Sequence, residues 1–145
     1  MYHLSPGPLP FKGGGRGRGG TLPPITLEGG ALETDELVQD LVDELSERQA
    51  DDIAVLDISK VADFADRFVI GTVASERQMN AVVDALDQRL AQKGVHARRR
   101  EGDSDSGWVL LDFNDVIVHL FGPEERGFYN LEGLWGKTAP IVRYQ

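Results

Sequence analysis

The sequence predicts one α/β domain in which a mixed β-sheet is packed by helices. Two stretches carry apolar residues at helical spacing, and short strand-like apolar runs alternate with them in the order α-β-β-α-β-β-β-α. A length of 145 residues suits one domain. Hydrophobic residues make up 41% and charged residues 27%, the usual balance of a globular protein. We therefore expect one core.

The N-terminal region differs from the rest. Residues 1–33 are rich in glycine and proline and lack apolar periodicity, so we predict a disordered tail ahead of a domain at 34–145. Gly15, Gly17 and Gly20 have the spacing of a dinucleotide fingerprint. Without a preceding strand and a following helix, this match is interpreted as chance.

The first half of the domain is predicted to form a helix and two strands. Thr34 is a suitable N-cap for the helix. Its apolar face is formed by Leu37, Val38, Leu41, Val42 and Leu45. The continuous apolar run at 53–56 indicates a strand covered on both faces, and 68–70 indicates a second strand.

A second helix has the clearest boundaries in the chain. Ser75 and Gln78 form a capping box at its start, and Gly94 stands where a left-handed residue ends a helix. Its apolar stripe consists of Met79, Val82, Val83, Leu86 and Leu90. A weaker strand is predicted at 95–101.

A hairpin follows, with strands at 108–113 and 116–121 joined at Asn114 and Asp115. Alternation predicts a core face made of Val109, Leu111, Phe113, Val116, Val118 and Leu120. The opposite face holds Trp108, Leu110, Asp112, Ile117, His119 and Phe121. Two interpretations stay open: this face is a partner-binding patch, or a helix covers it and His119 is a core histidine.

The final predicted element is a short helix that starts at Pro123. It carries more large apolar side chains than one helical stripe can bury: Phe128, Tyr129, Leu131, Leu134 and Trp135. In one interpretation Leu131 and Trp135 seal the core. In the other, aromatic residues protrude with Arg126 as anchors for a partner. We favour a mixture of the two.

Catalytic chemistry is poorly supported by the residue pattern. Asp112 and His119 share a hairpin face, but no third group is evident to orient them, and Asp115 suits a turn for backbone reasons. His3 and His96 lie elsewhere, and the chain has no cysteine. We expect no enzyme activity, no cofactor and no metal.

The charge distribution bears on the partner. Residues 1–33 carry a net charge of +1, which leaves −10 for residues 34–145 out of the total of −9. Such an acidic domain disfavours direct nucleic-acid binding and favours a basic protein partner. The basic run at 98–100 is followed at once by acidic residues. Without a membrane span or a secretory signal, a soluble cytoplasmic protein is expected.

Several motifs together resemble the ribosomal silencing factors, also called Iojap-related proteins. The resemblance covers roughly residues 34–142 in order. The motifs are Asp66–Ile70, Ser75–Gln78, Trp108–Phe113, Asp115–Phe121 and Arg126–Trp135.

This resemblance implies a nucleotidyltransferase-like fold that lacks the paired catalytic carboxylates of the enzymes. It implies docking on the large ribosomal subunit through its basic ribosomal protein fourteen, where the bound factor sterically blocks subunit association and represses translation. It also implies a homodimer when the protein is free. A large-subunit assembly factor is the alternative, and a nucleotide-binding enzyme is a weaker one. The partner-binding positions implied by the motifs are Trp108, Asp112, His119, Arg126, Tyr129, Leu131 and Trp135.

Overall fold

The strands form one mixed six-stranded sheet in a computed structural model that describes residues 26–137 and 139–144. The elements are α1 (Thr26–Glu47), β1 (Asp51–Asp57), β2 (Arg67–Thr72), α2 (Glu76–Ala91), β3 (Arg99–Glu101), β4 (Trp108–Asp112), β5 (Val116–Phe121), α3 (Pro123–Tyr129), α4 (Leu131–Trp135) and β6 (Ile141–Tyr144). The strand order is β3-β4-β5-β2-β1-β6; β2 and β5 are parallel, and the other pairs are antiparallel. The predicted α/β class is confirmed.

The sheet is buried on both faces, as β1 shows. Ile53 and Val55 point into a core shared with α1 and α2, whereas Ala54 and Leu56 belong to a second core on the opposite face. All four residues are buried. The continuous apolar run in the sequence therefore has the predicted cause, since alternate side chains enter two different cores.

The first helix begins earlier than predicted. α1 starts at Thr26 rather than near Thr34, so residues 26–33 belong to a helix and not to the expected tail. Once the buried part of α1 is formed, extending the helix adds a hydrogen bond per residue without a new nucleation cost. Residues 1–25, including the glycine spacing noted above, lie outside the described residues, and their predicted disorder stays a prediction.

The second helix and the hairpin follow the predicted pattern. Ser75 is the N-cap of α2, and Gly94 has φ +77° just beyond its end. The hairpin register pairs Leu110 with His119, as the predicted two-residue turn at Asn114 and Asp115 requires. At the turn, Asn114 has a positive φ of 82°. The preceding strand β3 is shorter than expected, with residues 99–101 instead of 95–101.

The C-terminal region is the main correction to the predicted fold. The expected single helix is two short helices, α3 and α4, which meet at Asn130 in a left-handed conformation with φ 44°. The unpredicted strand β6 then pairs with β1 at the edge of the sheet. No helix in the described part of the chain is long and apolar enough to cross a membrane.

Candidate functional site

Helices α3 and α4 expose three large apolar side chains, which we call the apolar corner. Phe128 is 80% exposed, Leu134 is 71% exposed and Tyr129 is 41% exposed. Large apolar side chains concentrated on one short segment of a surface often mark a binding site. The corner is therefore the first candidate for a functional surface.

Aromatic rings connect the corner to the sheet. The Tyr129 ring lies 4.4 Å from the ring of Trp108 and 6.0 Å from that of Phe121, measured between centroids. On the same face of the sheet, the Trp135 ring lies 5.5 Å from that of Phe68 and 6.1 Å from that of Phe64. Tyr129 and Trp135 thus pack inward while part of each side chain reaches solvent.

His119 lies beneath this aromatic layer and is fully buried. The indole Nε1–H of Trp108 donates to His119 Nδ1 at 3.2 Å, and the Phe68 ring lies 4.6 Å away in an edge-on arrangement. Burial lowers the pKa of His119 to about 3, so the ring is neutral at physiological pH. Of the two interpretations of this face, the structure supports a core histidine.

Arg126 is also buried, which corrects the expectation that it protrudes as an anchor. Its guanidinium donates from Nε to Glu132 Oε1 at 3.0 Å and from Nη2 to Glu132 Oε2 at 2.7 Å. Nη1 donates to Thr72 Oγ1, and Nη2 also donates to the Asp52 carbonyl, both at 2.7 Å. The Arg126 guanidinium therefore ties α3 to α4 and to the sheet.

Glu132 accepts a further hydrogen bond from Arg143 Nη1, at 3.0 Å. The hydrogen bonds from Arg126, together with the charges of both arginines, hold the pKa of Glu132 below its ordinary value, against the effect of its partial burial. The carboxylate is thus ionised at neutral pH.

Asp112 and Leu131 are buried as well. Asp112 Oδ1 accepts from the Asn114 backbone N–H at 2.8 Å, and Oδ2 lies 3.5 Å from Arg98 Nη2. The first contact stabilises the hairpin turn, and the second links the end of β4 to the segment ahead of β3. Leu131 packs into the core opposite the two long helices.

The seven residues predicted from the motifs therefore divide into two groups. Trp108, Tyr129 and Trp135 keep partial exposure. The four that lie behind the surface are Asp112, His119, Arg126 and Leu131. Direct contact with a partner stays a prediction for both groups, and the burial of the second group favours a supporting place for it.

The two most exposed members of the apolar corner, Phe128 and Leu134, were missing from that predicted set. The signal that could have found them was the excess of large apolar residues in the C-terminal element, since one helical stripe cannot bury all five.

Asp112 and His119, which were considered for catalysis, contact different neighbours. The Asp112 carboxylate bonds within its own turn and to Arg98, whereas His119 bonds to Trp108. Across residues 26–137 and 139–144, no group of three acidic or histidine side chains could hold a metal ion. The arrangement is suited to packing an exposed apolar surface on a rigid base.

Comparison with known proteins adds a family. The family described as "Ribosomal silencing factor during starvation" matches residues 31–145. A ribosomal silencing factor from Halalkalibacterium halodurans is 35% identical over 114 residues, which cover 79% of this chain and 97% of that protein. A mouse protein named "Mitochondrial assembly of ribosomal large subunit protein 1" is 34% identical over 98 residues, covering 66% of this chain and 43% of its own length.

The fold also has a solved relative. A crystal structure of a Chromobacterium violaceum protein superposes with a TM-score of 0.67 at 33% sequence identity. The match covers 70% of this chain and 85% of that protein. The sequence comparison and the structural comparison thus both find similar proteins at about one-third identity.

Proposed function

Because this chain belongs to the ribosomal silencing factor family, we propose that it docks on the large ribosomal subunit and prevents the small subunit from joining. The observation that carries the proposal is the apolar corner, where Phe128 and Leu134 are mostly exposed. A monomeric protein gains little stability from side chains that are mostly exposed. A partner that covers them would recover their hydrophobic burial.

The partner we propose is a basic protein of the large subunit, and the family resemblance points to ribosomal protein fourteen. An acidic domain of net charge −10 over residues 34–145 complements a basic protein and repels exposed RNA phosphates. Docking at the subunit interface would act by occupying space, which requires neither catalysis nor a cofactor. Translation would be repressed in consequence. In the absence of ribosomes, the free protein would form a homodimer.

A second candidate function is assistance in large-subunit assembly. The name of the mouse relative assigns that role to the relative, and the same surface would serve it here. The two functions differ in their effect on joining, because an assembly factor binds without holding mature subunits apart.

Sedimentation of mixed ribosomal subunits with purified protein tests the proposal. We expect the wild type to migrate with the large subunit and to reduce the joined-ribosome peak. The double variant Phe128→Ser, Leu134→Ser should lose most of this binding, since it removes the two most exposed side chains of the corner without opening the core.

A matched control is Val142→Ser, which removes an exposed apolar side chain on β6, outside the corner. It should bind and block joining like the wild type. Binding of the wild type without any loss of joined ribosomes would favour the assembly function. Failure of the wild type to bind large subunits would refute both functions.

A further inference from the structure

The apolar corner lies on two helices that are too short to be stable in isolation. α3 has seven residues and α4 has five, well below the length at which an isolated helix is stable in water. Asn130, in the left-handed region with φ 44°, separates the two helices. The relative orientation of Phe128 and Leu134 must therefore come from tertiary contacts.

Apolar contacts of Tyr129, Leu131 and Trp135 supply part of this orientation, and the polar contacts converge on one carboxylate. Glu132 receives two hydrogen bonds from Arg126 of α3 and one from Arg143 of β6. Its side chain is 15% exposed, so most of it is withdrawn from solvent. A bidentate arginine–carboxylate pair fixes both distance and plane, which a single ion contact does not.

The same guanidinium is anchored to the sheet by a local irregularity. β1 has a bulge between Asp51 and Ala54, and Asp52 within it has φ 48°. The Asp52 carbonyl accepts a hydrogen bond from Arg126, beside the bond from Arg126 to Thr72 at the end of β2. The bulge thus supplies the Asp52 carbonyl as a hydrogen-bond acceptor for Arg126.

We propose that Glu132 is the positioning residue of the docking surface, joining α3, α4 and β6 so that the apolar corner is presented in one orientation. This proposal rests on the proposed function for its consequence in binding. Glu132 acts through Arg126 and Arg143 and does not need to touch the partner itself. Phe128 and Leu134 make the contact.

The substitution Glu132→Gln keeps the size of the side chain and removes its charge. Arg126 then lies buried without a counter-charge, and Arg143 loses its tie to α4. The corner should sample more orientations, and large-subunit affinity should fall roughly tenfold, the effect of about 1.4 kcal/mol. Amide hydrogen exchange over residues 123–135 should accelerate more than exchange in β2 and β5.

Three further variants sharpen the test. Glu124→Gln removes an exposed carboxylate from α3 and should change neither affinity nor exchange. Arg143→Ala cuts only the β6 connection and should produce a smaller loss than Glu132→Gln. Arg143→Lys retains a cation near Glu132, so its loss of large-subunit affinity should be smaller than that of Arg143→Ala.

Two outcomes would overturn the proposal. The first is wild-type affinity together with wild-type exchange at 123–135 in Glu132→Gln. The second is a uniform rise in exchange across the sheet with an affinity loss explained by the unfolded fraction, since that describes a residue needed only for folding. If the wild type does not bind large subunits, the proposed function fails, while the local exchange pattern still decides whether Glu132 orders the corner.

Discussion

His119 shows how a titratable residue becomes part of a core. A neutral imidazole accepts at one nitrogen, and here Nδ1 accepts from the Trp108 indole while aromatic rings surround the side chain. Protonation would remove that acceptor and place a charge where no water can solvate it. The burial that lowers its pKa therefore also keeps Trp108 oriented under Tyr129.

This burial predicts a pH-dependent stability. The folded pKa of His119 is about 3 against an ordinary value of 6.5, so between these values the unfolded chain binds the extra proton. Stability should therefore fall as the pH is lowered below 6.5. From pH 7.5 to pH 5.5 the contribution of this residue is a loss of roughly 1 kcal/mol in the free energy of unfolding.

Urea unfolding of the wild type and His119→Gln at both pH values measures that contribution. Other groups titrate equally in the two proteins, so the difference between them isolates His119. If the free energy of unfolding fell by the same amount between the two pH values in both proteins, His119 would not be held neutral by burial.

The sequence alone could assign His119 and Arg126 to their elements, but it could not predict whether their side chains are buried. Alternation put His119 on the correct hairpin face, yet it left open what covers that face, because the covering residues follow an irregular helix break at Asn130. Arg126 was misjudged for a related reason. Its partner Glu132 is six positions away across that break, a spacing that does not bring two side chains together on a continuous helix.

At the scale of elements, the N-terminus of α2 is joined to the preceding chain by one side chain. Gln78 Oε1 accepts from the Ala74 N–H at 2.6 Å, and its Nε2 donates to the carbonyls of Arg48 and Gln49 at 3.0 and 3.1 Å. Ser75 Oγ accepts from the Gln78 N–H at 3.1 Å. The serine half of the predicted capping box is thus present, whereas the glutamine accepts from the Ala74 N–H instead of the Ser75 N–H and also holds the α1–β1 connection.

We predict that Gln78→Ala destabilises the protein more than Ser75→Ala. Removing the serine cap should cost about 1 kcal/mol in the free energy of unfolding. The glutamine variant loses three hydrogen bonds and should cost about 2 kcal/mol. Urea titration at constant pH compares them, and equal losses would contradict a joining role for Gln78.

Large-subunit binding provides the control for these variants. Neither residue belongs to α3, α4 or β6, so both folded variants should bind like the wild type. Weakened binding by a fully folded Ser75→Ala would place part of the docking surface at α2.

Elements with strong local signals were predictable, and those made by long-range contacts were not. α2 has a cap, an apolar stripe and a terminating glycine, so its existence and position followed from local chemistry. β6 has four residues, and it is a strand because the edge of β1 is available to pair with it. Nothing in the short run at 141–144 specifies that distant partner.

At the scale of the whole molecule, different kinds of element pack on the two faces of the sheet. The long helices α1 and α2 close one face over a continuous core. The other face is covered by short elements, and Trp108 and Trp135 remain partly exposed there at the margin of its core. The apolar corner is carried by those short elements, so the docking surface we propose lies on the face that the short elements cover.

The charge of the molecule distinguishes a protein partner from an RNA partner. The only basic run in the domain, at 98–100, is partly neutralised, since Arg98 lies 3.5 Å from Asp112 and Arg99 lies 3.4 Å from Glu101. Arg100, at the centre of β3, is exposed. An acidic domain with so small a basic feature should bind ribosomes through protein and not through phosphates.

We therefore predict that purified ribosomal RNA is not retained at protein concentrations that saturate large subunits. Arg100→Glu should leave large-subunit affinity unchanged, because it alters the basic run while leaving the apolar corner intact. Filter binding with RNA and sedimentation with subunits measure the two affinities at the same salt concentration. A strong loss of subunit binding in Arg100→Glu, with binding that weakens as salt increases, would instead make β3 a phosphate contact and move the docking surface to that edge of the sheet.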